Sequence, residues 1–188
     1  MPNLAMAGLL MLIAAGSSAA AGGRASAERS VTAPSQGGRH ADPELEALLP
    51  TTLGGVSLMI ESQAGTELAS QSAAFDAFLA SLGKSRADFS VASAYSRGAL
   101  KAEVGGWRVK GTDPSLLLPG FRTAVQDSST TPLAHAEEIL AGRAVTRIGD
   151  PSQLTRGPLY VFVRGDTLLF VQTPDRDLAE AAIANLPH

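Results

Sequence analysis

The sequence predicts an α+β domain: a mostly antiparallel, twisted sheet of about five or six strands with helices packed on one face. The strongest support is the run 159–172, two β-rich stretches joined at Gly165-Asp166, which reads as a tight hairpin. With that pair as the loop, Val163 faces Leu168, Val161 faces Phe170 and Tyr160 faces Val171 across the ladder. Leu159, Val161, Val163, Leu168 and Phe170 make one apolar face and Tyr160, Phe162, Leu169 and Val171 the other, so the hairpin belongs in the middle of a sheet. The second observation is the alternation in residues 56–61, where Val56, Leu58 and Ile60 share one side, the period of a half-buried strand. The third is Phe75, Phe78, Leu79 and Leu82, spaced at i, i+3, i+4 and i+7 to form one apolar helix face that Gly83 terminates.

In chain order, residues 4–15 are unbroken small and apolar side chains. Small-x-small sites follow at Ala19-Ala20-Ala21 and Ala25-Ser26-Ala27. The pattern resembles a secretory signal peptide over residues 1–27, although the first basic residue is Arg24 and none precedes the apolar run. It implies export to a secreted or extracytoplasmic location, with cleavage after Ala21 or Ala27. Residues 28–41, which include His40, have no apolar period and read as a flexible leader. Residues 42–188 then form a single α+β domain.

Asp42 is placed to cap a short helix opened by Pro43 and closed by Pro50. After the first strand, Ser72 caps the amphipathic helix. Residues 89–96 and 100–109 read as two strands around a turn at 96–99. Leu100, Ala102 and Val104 alternate with Lys101 and Glu103, which predicts one wet face, and Gly105-Gly106 reads as a bulge or bend. Asp113-Pro114 starts another helix, which Pro119-Gly120 should break or offset before it resumes over 121–126. Residues 126–136 read as a polar loop and 143–148 as a strand. The passages 109–117 and 146–154 resemble one another, each a strand ending at Gly before an Asp-Pro helix entry, which shared local chemistry explains without duplication. Thr173-Pro174-Asp175 caps a last helix with Leu178, Ala182, Ile183 and Leu186 inward.

Composition narrows the chemistry. Cysteine is absent from the 188 residues, which removes disulfides, thiol nucleophiles and cysteine-ligated metals. Net charge is -3 with the signs interspersed, so there is no basic footprint for nucleic acid or anionic lipid. His135-Ala136-Glu137-Glu138 is the one place where imidazole and carboxylates cluster, and it reads as a solvated loop rather than a metal site, which needs three or more converging ligands. There is no Gly-x-Ser-x-Gly elbow and no phosphate-binding glycine pattern. Arg164-Gly165-Asp166 spells an adhesion tripeptide, but the hairpin already demands Gly-Asp there. The single tryptophan, Trp107, reads as core.

No metal or organic cofactor is implied. The reading that follows is a non-catalytic exported domain that binds a protein partner or an apolar ligand through a sheet face left bare by the helices, with Tyr160, Phe162, Leu169 and Val171 as the candidate face. The alternatives are a structural homodimer sealed on that face and a hydrolase whose carboxylates, among them Glu61, Glu103 and Asp166, converge only in the fold.

Overall fold

The computed structural model describes residues 40–68, 73–98, 100–129, 131–149 and 156–187. The signal-peptide segment, the leader before His40, the Ser72 cap and most of the second Asp-Pro passage lie outside the described residues. Nine strands and four α-helices follow in order among the described residues: α1 Pro43–Glu46, β1 Thr52–Leu53, β2 Val56–Ser57, β3 Met59–Ala64, α2 Ala73–Ser81, β4 Phe89–Tyr95, β5 Glu103–Val109, α3 Pro114–Asp127, β6 Ala134–Leu140, β7 Arg143–Gly149, β8 Leu159–Arg164, β9 Thr167–Gln172 and α4 Arg176–Asn185. β1 and β2 form a small separate hairpin, and the other seven strands form one antiparallel sheet in the order β3-β4-β5-β9-β8-β7-β6.

The hairpin β8–β9 has the register that its turn dictates, with Val163 opposite Leu168 and Tyr160 opposite Val171. Gly165 takes φ +57° in its loop, a conformation that costs glycine little. β9 is the middle strand of the seven. The period of two therefore sorts its side chains onto opposite faces, and each face has its own core. On one face, Phe75, Phe78 and Leu79 of α2 and Leu117, Phe121 and Val125 of α3 pack on Val161, Leu168 and Phe170. Trp107 is buried there among the rings of Phe75, Phe89, Phe121 and Phe170, all edge-on to it except that Phe75 and Phe89 also meet each other. On the other face, Leu45 and Leu49 from the α1 segment, Leu53, and Ala179, Ala182, Ile183 and Leu186 from α4 pack on Tyr160, Leu169 and Val171.

The α+β class, the antiparallel sheet and the packed helices are as the sequence predicts. The sheet is larger than expected, with seven strands, and helices lie on both of its faces rather than one. The additional strand is β6, in the stretch read as a polar loop. It pairs with β7 along its whole length through a turn at Ala141-Gly142, where both residues have positive φ. The strand expected over 56–61 is split between β2 and β3.

Two further expectations are corrected. α3 runs unbroken through Pro119, since a proline five residues after the helix start removes one hydrogen bond while the helix still buries Leu117, Phe121, Ala124 and Val125. Gly120 brings α3 close to α2: a Cβ there would stand 3.0 Å from the Phe78 ring. Gly105-Gly106 is no bulge, because the ladders of β5 with β4 and β9 continue through it without a slip. The pair leaves room on both faces of the sheet, for the Phe170 ring against Gly105 and for Leu45 against Gly106.

The α1 segment is pinned by a polar network rather than by area alone. The Leu45 amide donates to Asp42 Oδ1 at 2.9 Å, as an N-cap requires. The Ser90 hydroxyl donates to the other carboxylate oxygen, and Arg108 Nη1 donates to Asp42 at 3.0 Å and to Glu44 at 3.2 Å. The Asp42 amide donates to Ser62 Oγ at 2.8 Å, and that hydroxyl donates to Glu46 at 2.6 Å. His40, placed by the sequence in a flexible leader, makes an isolated bridge to Ser62 on β3 and stands 3.0 Å from the Glu46 carboxylate.

Candidate functional site

Tyr160, Phe162, Leu169 and Val171 do lie on one face, as the period of two requires. That face is not bare. The four are 3%, 7%, 0% and 0% exposed, covered by α4 and by the Leu45–Leu53 stretch. The apolar face of α4 was legible in the sequence, but which face of the sheet it would cover was not, because periodicity along one helix carries no information about its partner.

The carboxylates that could have formed a catalytic group stay apart. Asp166 lies in the β8–β9 loop, where its carboxylate accepts from the Gly111 amide at 3.1 Å and stands 3.8 Å from Arg108 Nε. Glu103 lies at the far end of β5, roughly 17 Å away along the strand at 3.3–3.4 Å per residue. Glu61 is on β3, separated from β5 by β4. Glu103 is not on a wet face. It shares the α2/α3 side of the sheet with Trp107, and burial pushes its carboxyl up to about 6 despite opposing contributions from Arg156 and Ser93. His135, Glu137 and Glu138 sit on β6 rather than in a loop, so His135 and Glu137 point to one side and Glu138 to the other. Glu138 pairs with Arg176 at 2.7 Å. Among the described residues no three His, Asp or Glu side chains are grouped to hold a metal ion.

The feature that stands out was not legible in the sequence. β7 and β8 pair only through Thr146–Val161, Arg147–Tyr160 and Ile148–Leu159. β7 begins at Arg143 and β8 runs on to Arg164, so beyond Thr146 and Val161 the two strands continue without pairing each other. A cleft of about 680 Å³ opens at this place, between the first turns of α3 and the diverging strands. Leu118 and Pro119 of α3 form one wall. Ala144, Val161 and Val163 form the floor, and the Phe162 ring closes one end beside Pro187. The lining is mainly apolar, and it draws on both faces of the sheet because the strands part there. Ile139, 68% exposed on β6, faces the same side of the sheet as its partner Ala144.

Few polar side chains enter the cleft. Glu137 accepts a hydrogen bond from Thr146 at 2.9 Å. Arg143 lies over the Phe162 ring with its guanidinium carbon 4.3 Å from the centroid. It donates to the Pro187 carbonyl at 2.8 Å and to the Leu186 carbonyl at 3.1 Å, tying the end of α4 to β7. Arg164 lines the same cleft from β8.

Fold and cleft together define a seven-stranded antiparallel α+β protein with helices on both faces of the sheet and an open, largely apolar cleft at one parted strand pair. Comparison with protein-family models, curated proteins and solved structures returned no match.

Proposed function

We propose that the chain is an exported, non-catalytic binding domain whose ligand is an apolar small molecule held in the cleft between α3 and the parted strands β7 and β8. The observation that carries this reading is the cleft itself. Its volume of about 680 Å³ lies within the roughly 300–1,000 Å³ of small-molecule sites, and its walls are aliphatic and aromatic with a few polar groups at the margin. Of the candidate face, Phe162 takes part, as the ring at one end of the cleft. Export rests on the apolar run and the small residues that follow it. A hydrolytic role has less support, since Glu137 is the only carboxylate side chain lining the cleft among the described residues and is engaged by Thr146.

The test is a titration with N-phenyl-1-naphthylamine, an uncharged dye that fluoresces in apolar surroundings. The full chain should show saturable binding near one dye per protein. Ala144→Trp, an exposed position on the floor, should block it while leaving the melting temperature within about 2 °C, because surface substitutions change stability little. Absence of saturable binding to the unaltered protein would end this reading.

A further inference from the structure

Resting on the reading of the cleft as a ligand site, we infer that its ligand is an apolar secondary amide whose N–H and C=O bridge the open backbone edges at Ala144 on β7 and Val163 on β8. The two flanking hairpins fix where those edges point. Leu140 and Arg143 flank the two-residue turn Ala141-Gly142, and Arg164 and Thr167 flank the two-residue turn Gly165-Asp166. Pairs that close such turns exchange both backbone hydrogen bonds, so Arg143 turns its N–H and C=O toward β6 and Arg164 turns its own toward β9. Backbone groups alternate along a strand, so the adjacent residues turn theirs inward, Ala144 toward β8 and Val163 toward β7. Continuing the register of Thr146 with Val161 would set Ala144 opposite Val163, but the ladder stops one such pair short. Both residues line the cleft.

An N–H and a C=O on each strand thus face the gap without a strand partner. In an open cleft, water satisfies them. An occupant that displaces this water and has no polar group would strand all four, and a buried backbone group left unpaired costs more than a made hydrogen bond returns. The occupant must therefore bring at least one donor and one acceptor into the plane of the sheet. A trans secondary amide does so with a single group, because its N–H and C=O point in opposite directions, as those of a peptide unit do between two neighbouring strands. It donates to the carbonyl of one edge and accepts from the N–H of the other. Alkyl groups on either side of the amide meet Leu118 and Pro119 of α3, Val161 and the Phe162 ring, none of which offers a polar side chain.

Calorimetric titration of the full chain with N-butylhexanamide, its N-methyl derivative and butyl hexanoate tests the bridge at nearly constant shape. The secondary amide should bind about three- to tenfold tighter than either analogue, the scale of one net hydrogen bond. A cleft offering apolar contact alone would give the opposite order against the ester, since burying an amide without partners is costly. In the unliganded protein the backbone N–H groups of Ala144 and Val163 should exchange with solvent faster than those of Thr146 and Val161, and saturation with the secondary amide should slow one of the two. If the ester or the N-methyl amide binds as tightly as the secondary amide, or if both inner N–H groups already exchange as slowly as that of Thr146 without ligand, the bridge is wrong while the apolar cleft stands. If none of the three probes binds, the inference falls together with the reading on which it rests.

Discussion

The ring of Phe170 on β9 occupies the space that Gly105 on β5 leaves empty: a Cβ at Gly105 would stand 2.4 Å from Phe170 Cζ and 2.8 Å from the Ala92 carbonyl oxygen. The two residues are cross-strand partners, and the ring cannot easily move aside, because it packs edge-on to Trp107 at a centroid distance of 6.5 Å. A side chain at this position must therefore displace either an aromatic cluster or a strand. Gly105→Ala should destabilise the fold by about 1–3 kcal/mol or more, as overpacking does in a dense core. Gly106→Ala, whose Cβ would meet the ends of Leu45 and Leu169 at 3.0 and 3.1 Å, should cost less, because flexible leucines can yield. Urea unfolding of the two variants should give clearly different midpoints. Equal losses would mean that the Phe170 ring has room to spare.

Asp42 anchors α1 from within the structure. Burial alone would raise its carboxyl, but the hydrogen bonds from Ser90 and the Leu45 amide, with Arg108 and Lys110 close by, bring it below the ordinary aspartate value. A depressed carboxyl stabilises the fold above its unfolded pKa, about 4, and loses that contribution as pH falls through the lower folded value. Asp42→Asn removes one of the carboxylates that Arg108 faces, with Glu44 and Asp166 remaining, and should destabilise the protein at neutral pH by about 1.5–3 kcal/mol, the scale of hydrogen bonds to a charged group. The same variant should show a shallower acid limb in a plot of stability against pH below about 4. A variant as stable as the original protein at pH 7 would show that α1 is held by Leu45 and Leu49 alone.

Glu103 works in the opposite sense. Its carboxyl is pushed up to about 6 by burial, above its value in the unfolded chain. The folded state therefore binds the proton more tightly, and the associated stability is complete at low pH and declines as pH rises from about 4.5 through 6. Glu103→Gln, which keeps the shape without the charge, should raise stability at pH 8 by about 1–2 kcal/mol and flatten the profile over that window. Thermal melts of both proteins at half-unit intervals between pH 4 and pH 8 would check it. A slope in the variant equal to that of the original would assign the titration to another group.

Several local features were legible in full. The register of β8 and β9 was legible because a Gly-Asp turn and an alternating pattern are both short-range information. The caps of α1 and α4 were legible for the same reason, since Asp42 and Asp175 bond amides two or three residues ahead. β6 was missed because an edge strand is defended by charge, and Glu137 and Glu138 there read as loop although they share a ladder with β7. The course of α3 was misjudged because local proline chemistry argued for a break, whereas the face carrying Leu117, Phe121 and Val125 decided for continuity.

By itself, then, the sequence determined the class of the fold, the position of Trp107 in a core and the existence of two apolar faces on the central hairpin, all of which follow from periodicity and turn chemistry within a few residues. Only the tertiary structure decided what covers the second face. The residues that do so, Leu45, Leu49 and Leu53 at one end of the domain and Ala179, Ala182, Ile183 and Leu186 at the other, are far apart in the chain. Only the tertiary structure, likewise, decided where the cleft lies. It arises where the β7–β8 ladder stops at Thr146 and Val161 while both strands run on, and the end of a ladder depends on which backbone groups meet across space, a relation that no spacing along one strand encodes.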